Sequence, residues 1–450
     1  MTRLDDTTRW REPGTPHYPR RPDTSAPRSI GNGPRTVARP DGATLAVPAG
    51  FRATLIASGL THPRHVISAG PEGTLLLAQS SKGEVTLVRG AVAGATEETV
   101  TTSALIPAGR LGPWPHGLAI HGGHLYVSDL SAVWRVPYAA ASATVDLDRL
   151  EQITAAADFA VSGGGHVTRN VAVNPRDGGL FVSFGSESND SPEAEPRATV
   201  REFDAAGKLV GTFASGLRNP VEVKFHPDTG ELFTVVNERD GLGDGLVPDF
   251  MTHLERGAFY GWPYAYIGAN KQPNRGGRDD LVAQSLVPDL LFQSHSAPIS
   301  FDWYPKGQGP FPERYRGGAF VALKGSWNSS RPVGYFVAFV PFGADGRPAG
   351  SYSVFAAGFR TDDGEGAAGE PAEVWGRPAG VAVTEEGALV VADETGKTLW
   401  LVDYVGGDAP PATSGPPARE GGPVPSGGRR AWPLPALVAL LSCAAALYGA

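Results

Sequence analysis

Cysteine is almost missing from this sequence, since Cys443 in the apolar C-terminal tail is the only one. The chain before that tail therefore offers no disulfide, no thiolate metal site and no cysteine nucleophile. Runs of lysine or arginine are also missing from the body of the chain, and the formal net charge is −8. No nucleic-acid partner is therefore expected.

Glycine and proline, in contrast, are abundant, with 59 and 40 residues, which favours short strands and tight turns over helices. An apolar strand, a turn rich in Gly, Pro and Asp, and a second apolar strand recur six times. These hairpins begin at Arg64, His116, Arg169, Asn219, Pro298 and Arg377. Six similar hairpins, the first four spaced by roughly 50 residues, predict an all-β fold with a six-bladed β-propeller. A β-sandwich or a set of tandem β-domains is the alternative, which six copies of one pattern disfavour.

Two terminal segments flank the predicted propeller, which spans residues 43–404. Residues 1–42 are rich in Pro, Arg and Thr without an apolar period, so they are predicted to be disordered and to lack a signal-peptide core. Residues 405–430 form a Pro/Gly-rich linker, and residues 431–450 are predicted to be a hydrophobic helix that serves as a transmembrane anchor. The alternative is a terminal helix that packs on the body. The arginine pair that precedes this helix favours a cytoplasmic body.

The loops at one end of a propeller converge on its axis, so polar residues at the mouths of the hairpins are candidates for chemistry. Those candidates are His166, Arg218, Asn219, Lys324, Trp327 and Arg377. Arginine and lysine donate charge-assisted hydrogen bonds to carboxylates, so these cations suit a multiply charged anion. A neutral His166 beside them can act as a general base. His116, at the equivalent mouth of the second hairpin, is a second candidate for substrate contact, with a hydrogen bond to the backbone as its alternative role.

An acidic, glycine-rich loop, NERDGLGDGLVPD at residues 237–249, follows the fourth hairpin. Its carboxylates and its turn carbonyls offer the oxygen ligands that Ca²⁺ requires. The predicted metal ligands are Glu238, Asp240, Gly241, Asp244 and Asp249. The loop is not an EF-hand, because the D-x-D-x-D-G spacing is missing. A solvated turn is the alternative, since Asp-Gly is common in turns.

The motifs GGGHVTRN, GLRNP, NERDGLGDGLVPD, FYGWPY, GSWN and GRPAG, in this order over roughly residues 44–405, resemble those of the pyrroloquinoline quinone (PQQ)-dependent sugar dehydrogenases. The branch they resemble most is that of the sorbosone dehydrogenases, relatives of soluble glucose dehydrogenase. The resemblance implies that His166 takes the proton of the substrate hydroxyl while hydride passes to the quinone. It also implies a Ca²⁺ ion in the acidic loop that polarises the quinone. The implied cofactor-binding residues are Arg218, Asn219, Lys324 and Arg377.

Three positions depart from the pattern of that family. Glucose dehydrogenases support the base with an aspartate, where this chain has Ser186, so Glu187 and Asp190 are candidate replacements. The sorbosone branch usually has a histidine before GSWN, where this chain has Lys324. The acidic loop also lacks the Gly-Pro pair of the glucose enzymes.

The leading hypothesis is a PQQ-dependent dehydrogenase of an aldose or of a sugar-derived aldehyde such as sorbosone. Electrons would pass onward to a separate acceptor, and the family implies a body outside the cytoplasm, anchored to a membrane by the C-terminal tail. A gluconolactonase-like propeller hydrolase, which needs a metal but no quinone, is one alternative. A propeller without catalytic activity that binds proteins or glycans is the other.

Overall fold

The computed structural model describes residues 31–161, 164–307, 309–362 and 368–407, and the backbone of Pro16–His17. These residues confirm the prediction of an all-β fold, because strands dominate and Asp279–Gln284 is the one α-helix among them. Short 3-10 turns are found at Ser80–Lys82, Leu147–Arg149, Ala156–Phe159 and Glu313–Tyr315.

Each of the six predicted hairpins forms the two inner strands of one antiparallel sheet, and the six sheets are the blades of a propeller. Blade one contains Pro63–Gly70, Thr74–Gln79, Glu84–Arg89 and Thr101–Ile106. Blade two contains Gly117–His121, His124–Ser128, Val133–Ala139 and Thr144–Val145. Blade three contains Val171–Val173, Leu180–Phe184, Thr199–Phe203 and Leu209–Ser215. Blade four contains Pro220–Phe225, Leu232–Val236, Phe250–His253 and Leu290–Leu291. Blade five contains Pro298–Trp303, Ala319–Leu323, Phe336–Val340 and Tyr352–Ala356. Blade six contains Pro378–Val383, Leu389–Asp393, Thr398–Tyr404 and Phe51–Ala57. The first strands of successive blades contact one another around the ring, so they line its axis.

The ring is closed by a strand from the beginning of the chain. Phe51–Ala57 is the outer strand of blade six and pairs antiparallel with Thr398–Tyr404, with Phe51 opposite Tyr404. The Phe51 ring also meets aromatic rings of the neighbouring blade edge-on, with its centroid 4.7 Å from that of Phe311 and 5.1 Å from that of Phe355. Closure therefore joins the two ends of the propeller by both a strand ladder and a buried aromatic cluster.

A few short strands lie outside the regular pattern. Three of them extend blades two, three and five, and four form two separate pairs. They are Glu151–Gln152, Ala258–Phe259 and Pro16–His17, and the pairs Arg35–Thr36 with Glu373–Val374 and Ala265–Tyr266 with Asn270–Lys271.

The segment 31–42 differs from the prediction of disorder, because it is held by hydrogen bonds to distant loops and by packing of Val37 against the apolar core. Asn32 is buried, and its Nδ2 donates to the carbonyls of Ser329 (3.0 Å) and Glu370 (2.9 Å). Such contacts leave no apolar period in the sequence. The predicted anchor at 431–450 and most of the linker lie outside the described residues. Within the described ranges, no helix has the length and hydropathy needed to cross a membrane.

Val221, Ile299 and Ala379, in the first strands of blades four, five and six, form a small buried apolar cluster. Val221 and Ile299 line one cavity, and a second cavity is lined by residues further along the first strands. The second cavity contains a buried charge network that joins blades one, four and five. Glu222 Oε1 lies 3.1 Å from His65 Nε2 and 3.3 Å from Lys224 Nζ. Although burial alone would raise the pKa of Glu222, these two neighbours lower it to about 2, so the carboxylate is ionised.

Candidate active site

A pocket of about 550 Å³ opens at one end of the axis, above the floor formed by Val221 and Ile299. Its size is typical of small-molecule sites. Most of the residues selected from the sequence line it, namely His166, Arg218, Asn219, Glu238, Asp240, Asp249, Lys324, Trp327 and Arg377. The pocket is also lined by residues outside the predicted set of site residues, namely His62, Arg64, Trp114, His295 and Asn328.

His166 is held by the backbone at the end of the second strand of blade three. Both its backbone N–H and its ring Nδ1 lie 2.8 Å from the carbonyl oxygen of Ser186. Because a carbonyl only accepts, Nδ1 carries the hydrogen and Nε2 is left with its lone pair. The adjacent Gly185 permits this approach, since a Cβ there would lie only 2.5 Å from the Cβ of His166.

The pKa of His166 is lowered to about 4, mainly by burial and next by the charge of Arg218. The hydrogen bond to Ser186 and the charge of Asp240 oppose this shift without cancelling it. The imidazole is therefore neutral at physiological pH, which is the state that a general base requires.

The predicted replacement of the supporting aspartate by Glu187 or Asp190 is not what the structure contains. Asp190 pairs instead with Arg239 (2.9 Å) and Arg275 (2.8 Å), and Glu187 Oε1 accepts a hydrogen bond from the backbone N–H of Gly164 (3.3 Å). The carbonyl of residue 186 takes the orienting role, and a sequence pattern cannot reveal a backbone ligand because every residue has one.

One wall of the pocket is cationic. Lys324 follows the second strand of blade five, and Arg64 lies in the first strand of blade one. Their charged groups both lie 2.6 Å from Oε2 of Glu394, and His62 Nε2 lies 2.9 Å from Oε1 of the same carboxylate. Arg377 completes this wall and donates hydrogen bonds to the carbonyls of residues 324 (3.0 Å) and 325 (2.7 Å).

Another wall is acidic and comes from the loop between the second and third strands of blade four. Asp240 accepts hydrogen bonds from Arg218 Nη2 (2.9 Å) and Asn328 Nδ2 (2.7 Å). Asp249 accepts from the backbone N–H of Glu238 (2.8 Å). Burial raises the pKa of Glu238 to about 8 and that of Asp249 to about 6.

Two of the five predicted metal ligands serve the loop itself rather than the pocket. Asp244 accepts a hydrogen bond from the backbone N–H of Ser330 (2.9 Å) and so ties this loop to the one between the second and third strands of blade five. Gly241 adopts a φ of +89° on the exposed side of the loop, a conformation that glycine tolerates without cost. His116 is also placed elsewhere, since its buried ring stacks on that of His65 at 5.7 Å.

The oxygen donors beside the acidic wall fit a hard cation. Asn328 must turn its NH₂ toward Asp240, and Asn219 donates 3.1 Å to Asn237, whose own NH₂ is 2.7 Å from the carbonyl of Pro298. These hydrogen bonds fix the orientation of both amide groups. Oδ1 of Asn219 and Oδ1 of Asn328 are therefore buried acceptors that have no hydrogen-bond partner among the described residues. Within that part, no three His, Cys, Asp or Glu side chains form a metal cluster, so amide oxygens would have to contribute ligands.

A protein-family model described as TrAA12-like matches residues 45–248 and 258–405, which is most of the propeller. The chain belongs to the TrAA12-like family. Among curated proteins, a PQQ-dependent sugar dehydrogenase of Hypocrea jecorina is 26% identical over 353 residues, 66% of this chain and 75% of that protein. A PQQ-dependent pyranose dehydrogenase of Coprinopsis cinerea is 26% identical over 345 residues, 65% of this chain and 44% of that protein. An uncharacterized protein of Borreliella burgdorferi is 29% identical over 242 residues, which cover 53% of this chain and 61% of that protein.

Solved structures give the TrAA12-like chain the same architecture. The holo form of the pyranose dehydrogenase PQQ domain from Coprinopsis cinerea has a TM-score of 0.66 at 20% identity, covering 82% of this chain and 99% of that one. The calcium structure of a Trichoderma reesei protein of family AA12 has a TM-score of 0.64 at 21% identity, covering 82% and 100%. At such identities the likeness shows the fold alone, and the chemistry has to be argued from the pocket.

Proposed function

We propose that this TrAA12-like chain oxidises an aldose or a sugar-derived aldehyde, such as sorbosone, with PQQ as hydride acceptor and His166 as general base. The observation that carries the proposal is the state of His166. Its Nδ1 is committed to a carbonyl at 2.8 Å and its pKa is about 4, so a proton-accepting Nε2 is present at neutral pH. The names of the Hypocrea and Coprinopsis relatives support the same chemistry.

The two walls of the pocket suit a ligand that carries carboxylates at one side and binds a cation at the other. Arg64, Lys324 and Arg377 are positioned to receive carboxylates, and PQQ is a tricarboxylate. The unpartnered oxygens of Asn219 and Asn328, next to the acidic wall, are the groups that would bind Ca²⁺. A ligand with both features is oriented by the pocket before any reaction begins.

In this proposal the sugar hydroxyl donates its hydrogen bond to Nε2 of His166, which takes the proton as the C–H electron pair departs. When bound, PQQ supplies the two-electron acceptor for that pair. Burial and Arg218, which keep His166 neutral, also favour release of the proton that it has taken. Trp327, which is 55% exposed at the rim, offers an aromatic face to the substrate.

The test is a titration of the purified protein with PQQ in the presence of CaCl₂, followed by visible absorption and then by reduction of a dye. We expect saturable PQQ binding, and dye reduction with one or more aldoses or with sorbosone only when PQQ is present. Failure of PQQ to bind, or the same turnover without PQQ, would contradict the proposal. Hydrolysis of gluconolactone without PQQ would support a lactonase instead.

A separate electron acceptor is part of the proposal, as is attachment of the body to the outer side of a membrane through residues 431–450. Protease treatment of intact cells tests the second point. Cleavage of the body in intact cells is expected, whereas protection until the cells are lysed would contradict it.

A further inference from the structure

Glu394 lies at the centre of a cluster that no sequence motif pointed to. It follows the second strand of blade six, and its side chain is 13% exposed. Lys324 and Arg64 share one oxygen of its carboxylate at 2.6 Å, while His62 contacts the other oxygen at 2.9 Å. These three side chains come from blade five, blade one and the loop before blade one, so Glu394 joins three separate parts of the ring.

The cations in this cluster repel one another, and burial makes the repulsion stronger. Burial lowers the pKa of Lys324 most, Arg64 lowers it next and Arg377 lowers it less, and the resulting pKa is about 7. Glu394 raises the pKa of Lys324 and so opposes these three effects. Burial would raise the pKa of Glu394, but Arg64, His62 and Lys324 outweigh it, so this pKa falls well below its usual range. Further titratable neighbours are His116, which interacts with Arg64 and Glu394, Asp393, which accepts from the backbone N–H of Arg377 (2.7 Å), and Tyr335, whose ring lies 5.6 Å from the guanidinium of Arg377.

We propose that Glu394 is a positioning residue that holds Arg64 and Lys324 together as one preorganised receptor for an anionic group in the pocket. The pocket is lined by Arg64, Lys324 and His62, whereas Glu394 supports them from the strand end behind. Its backbone is fixed as well, because its N–H donates to the carbonyl of Arg377 at 3.1 Å. The identity of the anion as a carboxylate of PQQ rests on the proposed function, but the role of Glu394 in the cluster does not.

Glu394 should also set the pH range over which the receptor binds anions. Lys324 loses its charge as the pH rises through about 7, so anion binding is full below that pH and falls above it. Without the carboxylate, Lys324 loses its proton at lower pH. A role limited to folding would weaken anion binding equally at every pH.

The first test compares the pH profile of PQQ affinity, measured by visible absorption between pH 5.5 and 9, in wild type and Glu394→Gln. We expect the midpoint of the profile to shift down by about one pH unit, and the affinity at pH 8 to fall about tenfold. The matched control is Glu231→Gln, which removes the carboxylate that pairs with Arg347 outside the pocket (2.6 Å) and should leave the profile unchanged. An unshifted midpoint in Glu394→Gln would overturn the inference.

The second test needs no PQQ and therefore separates this inference from the proposed function. Lysines are labelled by reductive ¹³C-methylation, the Lys324 signal is assigned with Lys324→Arg, and its titration is followed by NMR. Glu394→Gln should lower the titration midpoint of Lys324, and Glu394→Asp, which keeps the charge but shortens the side chain, should restore only part of it. If PQQ fails to bind wild type but the midpoint moves, the proposed function fails and the cluster stands. If the midpoint does not move, the inference fails whatever PQQ does.

A folding defect in Glu394→Gln would not remove the test. Glu394→Asp retains the charge but shortens the side chain by one methylene, so its contacts to Arg64 and Lys324 are loosened. We then expect the titration midpoint of Lys324 in Glu394→Asp to lie below that of wild type, by less than the shift of about one pH unit expected for Glu394→Gln. A wild-type midpoint in this variant would overturn the inference.

Discussion

Replacing His166 with glutamine tests the proposed base directly, because the change removes the base while keeping the local hydrogen bond. The glutamine amide can still donate to the carbonyl of Ser186, as Nδ1 of His166 does at 2.8 Å. The fold and the cofactor site should therefore survive the change. What is lost is Nε2 of His166, the nitrogen proposed to accept the proton of a substrate hydroxyl.

The expected loss follows from the contribution of general-base catalysis, which is about 10²- to 10⁴-fold in rate. This corresponds to about 3–5 kcal/mol of transition-state stabilisation. We expect kcat of His166→Gln to fall by that factor, measured as PQQ-dependent dye reduction with saturating sugar, while the Kd for PQQ changes little. His124→Ala, which changes a histidine on blade two away from the pocket, is the control and should keep its activity.

The pH dependence gives a second and independent check on His166. Its pKa is about 4, so the base is neutral, and active, above that pH and is lost only as the pH falls through about 4. A histidine with an ordinary pKa would lose activity near pH 6.5 instead. Retention of kcat in His166→Gln to within about threefold, or an acidic limb near pH 6.5 in wild type, would refute the assignment of His166 as the buried base.

Three further predictions concern the metal, the closure of the ring and the axial charges. Ca²⁺ should raise the affinity of the protein for PQQ. Asn219→Ala removes an unpartnered oxygen and should weaken Ca²⁺ binding by at least about tenfold in isothermal titration. An unchanged Ca²⁺ affinity in this variant would exclude Asn219 as a ligand. Phe51→Ala should cost about 3–5 kcal/mol in urea unfolding, because the ring is buried at the closing strand, whereas a cost below about 1 kcal/mol would mean that closure does not depend on it. Glu222→Ala should cost about 1–3 kcal/mol, since it removes the buried partner of His65 Nε2, while Lys224 keeps its ion pair with Asp302 at 2.9 Å. In wild type the stability from Glu222 should be present above its unfolded pKa and be lost as the pH falls toward about 2, and a flat acid limb would contradict this.

The architecture was predictable from the sequence because it depends on a repeated pattern. Six hairpins with the same alternation and turns have to form equivalent sheets, and such sheets bury their faces only against one another. The closing strand Phe51–Ala57 was not selected, because it ends 321 residues before the next strand of its blade begins and only the ring brings them together. The segment around Asn32 was missed for a different reason, since its hydrogen bonds to remote carbonyls leave no trace in composition.

The site was predictable where a side chain carries the chemistry, and not where the backbone or a remote partner does. His166, Arg218 and Lys324 were selected as polar residues at hairpin mouths, and the structure places all of them in one pocket. The carbonyl of Ser186 and the carboxylate of Glu394 were missed, although each decides the state of a selected residue. Local sequence shows which groups are available, whereas their protonation depends on burial and neighbours that only the fold determines.

The inner hairpins nevertheless contain a signal that would have found Glu394. An antiparallel hairpin places the residue before its first strand beside the residue after its second strand. The structure shows this as equivalent backbone hydrogen bonds, from residue 237 to 219 (3.1 Å), from 324 to 297 (2.9 Å) and from 394 to 377 (3.1 Å). Each of these three hairpins therefore brings two residues together at its mouth, and reading only the first of them selects Arg377 without Glu394. Because the second member of each pair can carry the opposite charge, the charge balance of the pocket depends on both ends of every hairpin.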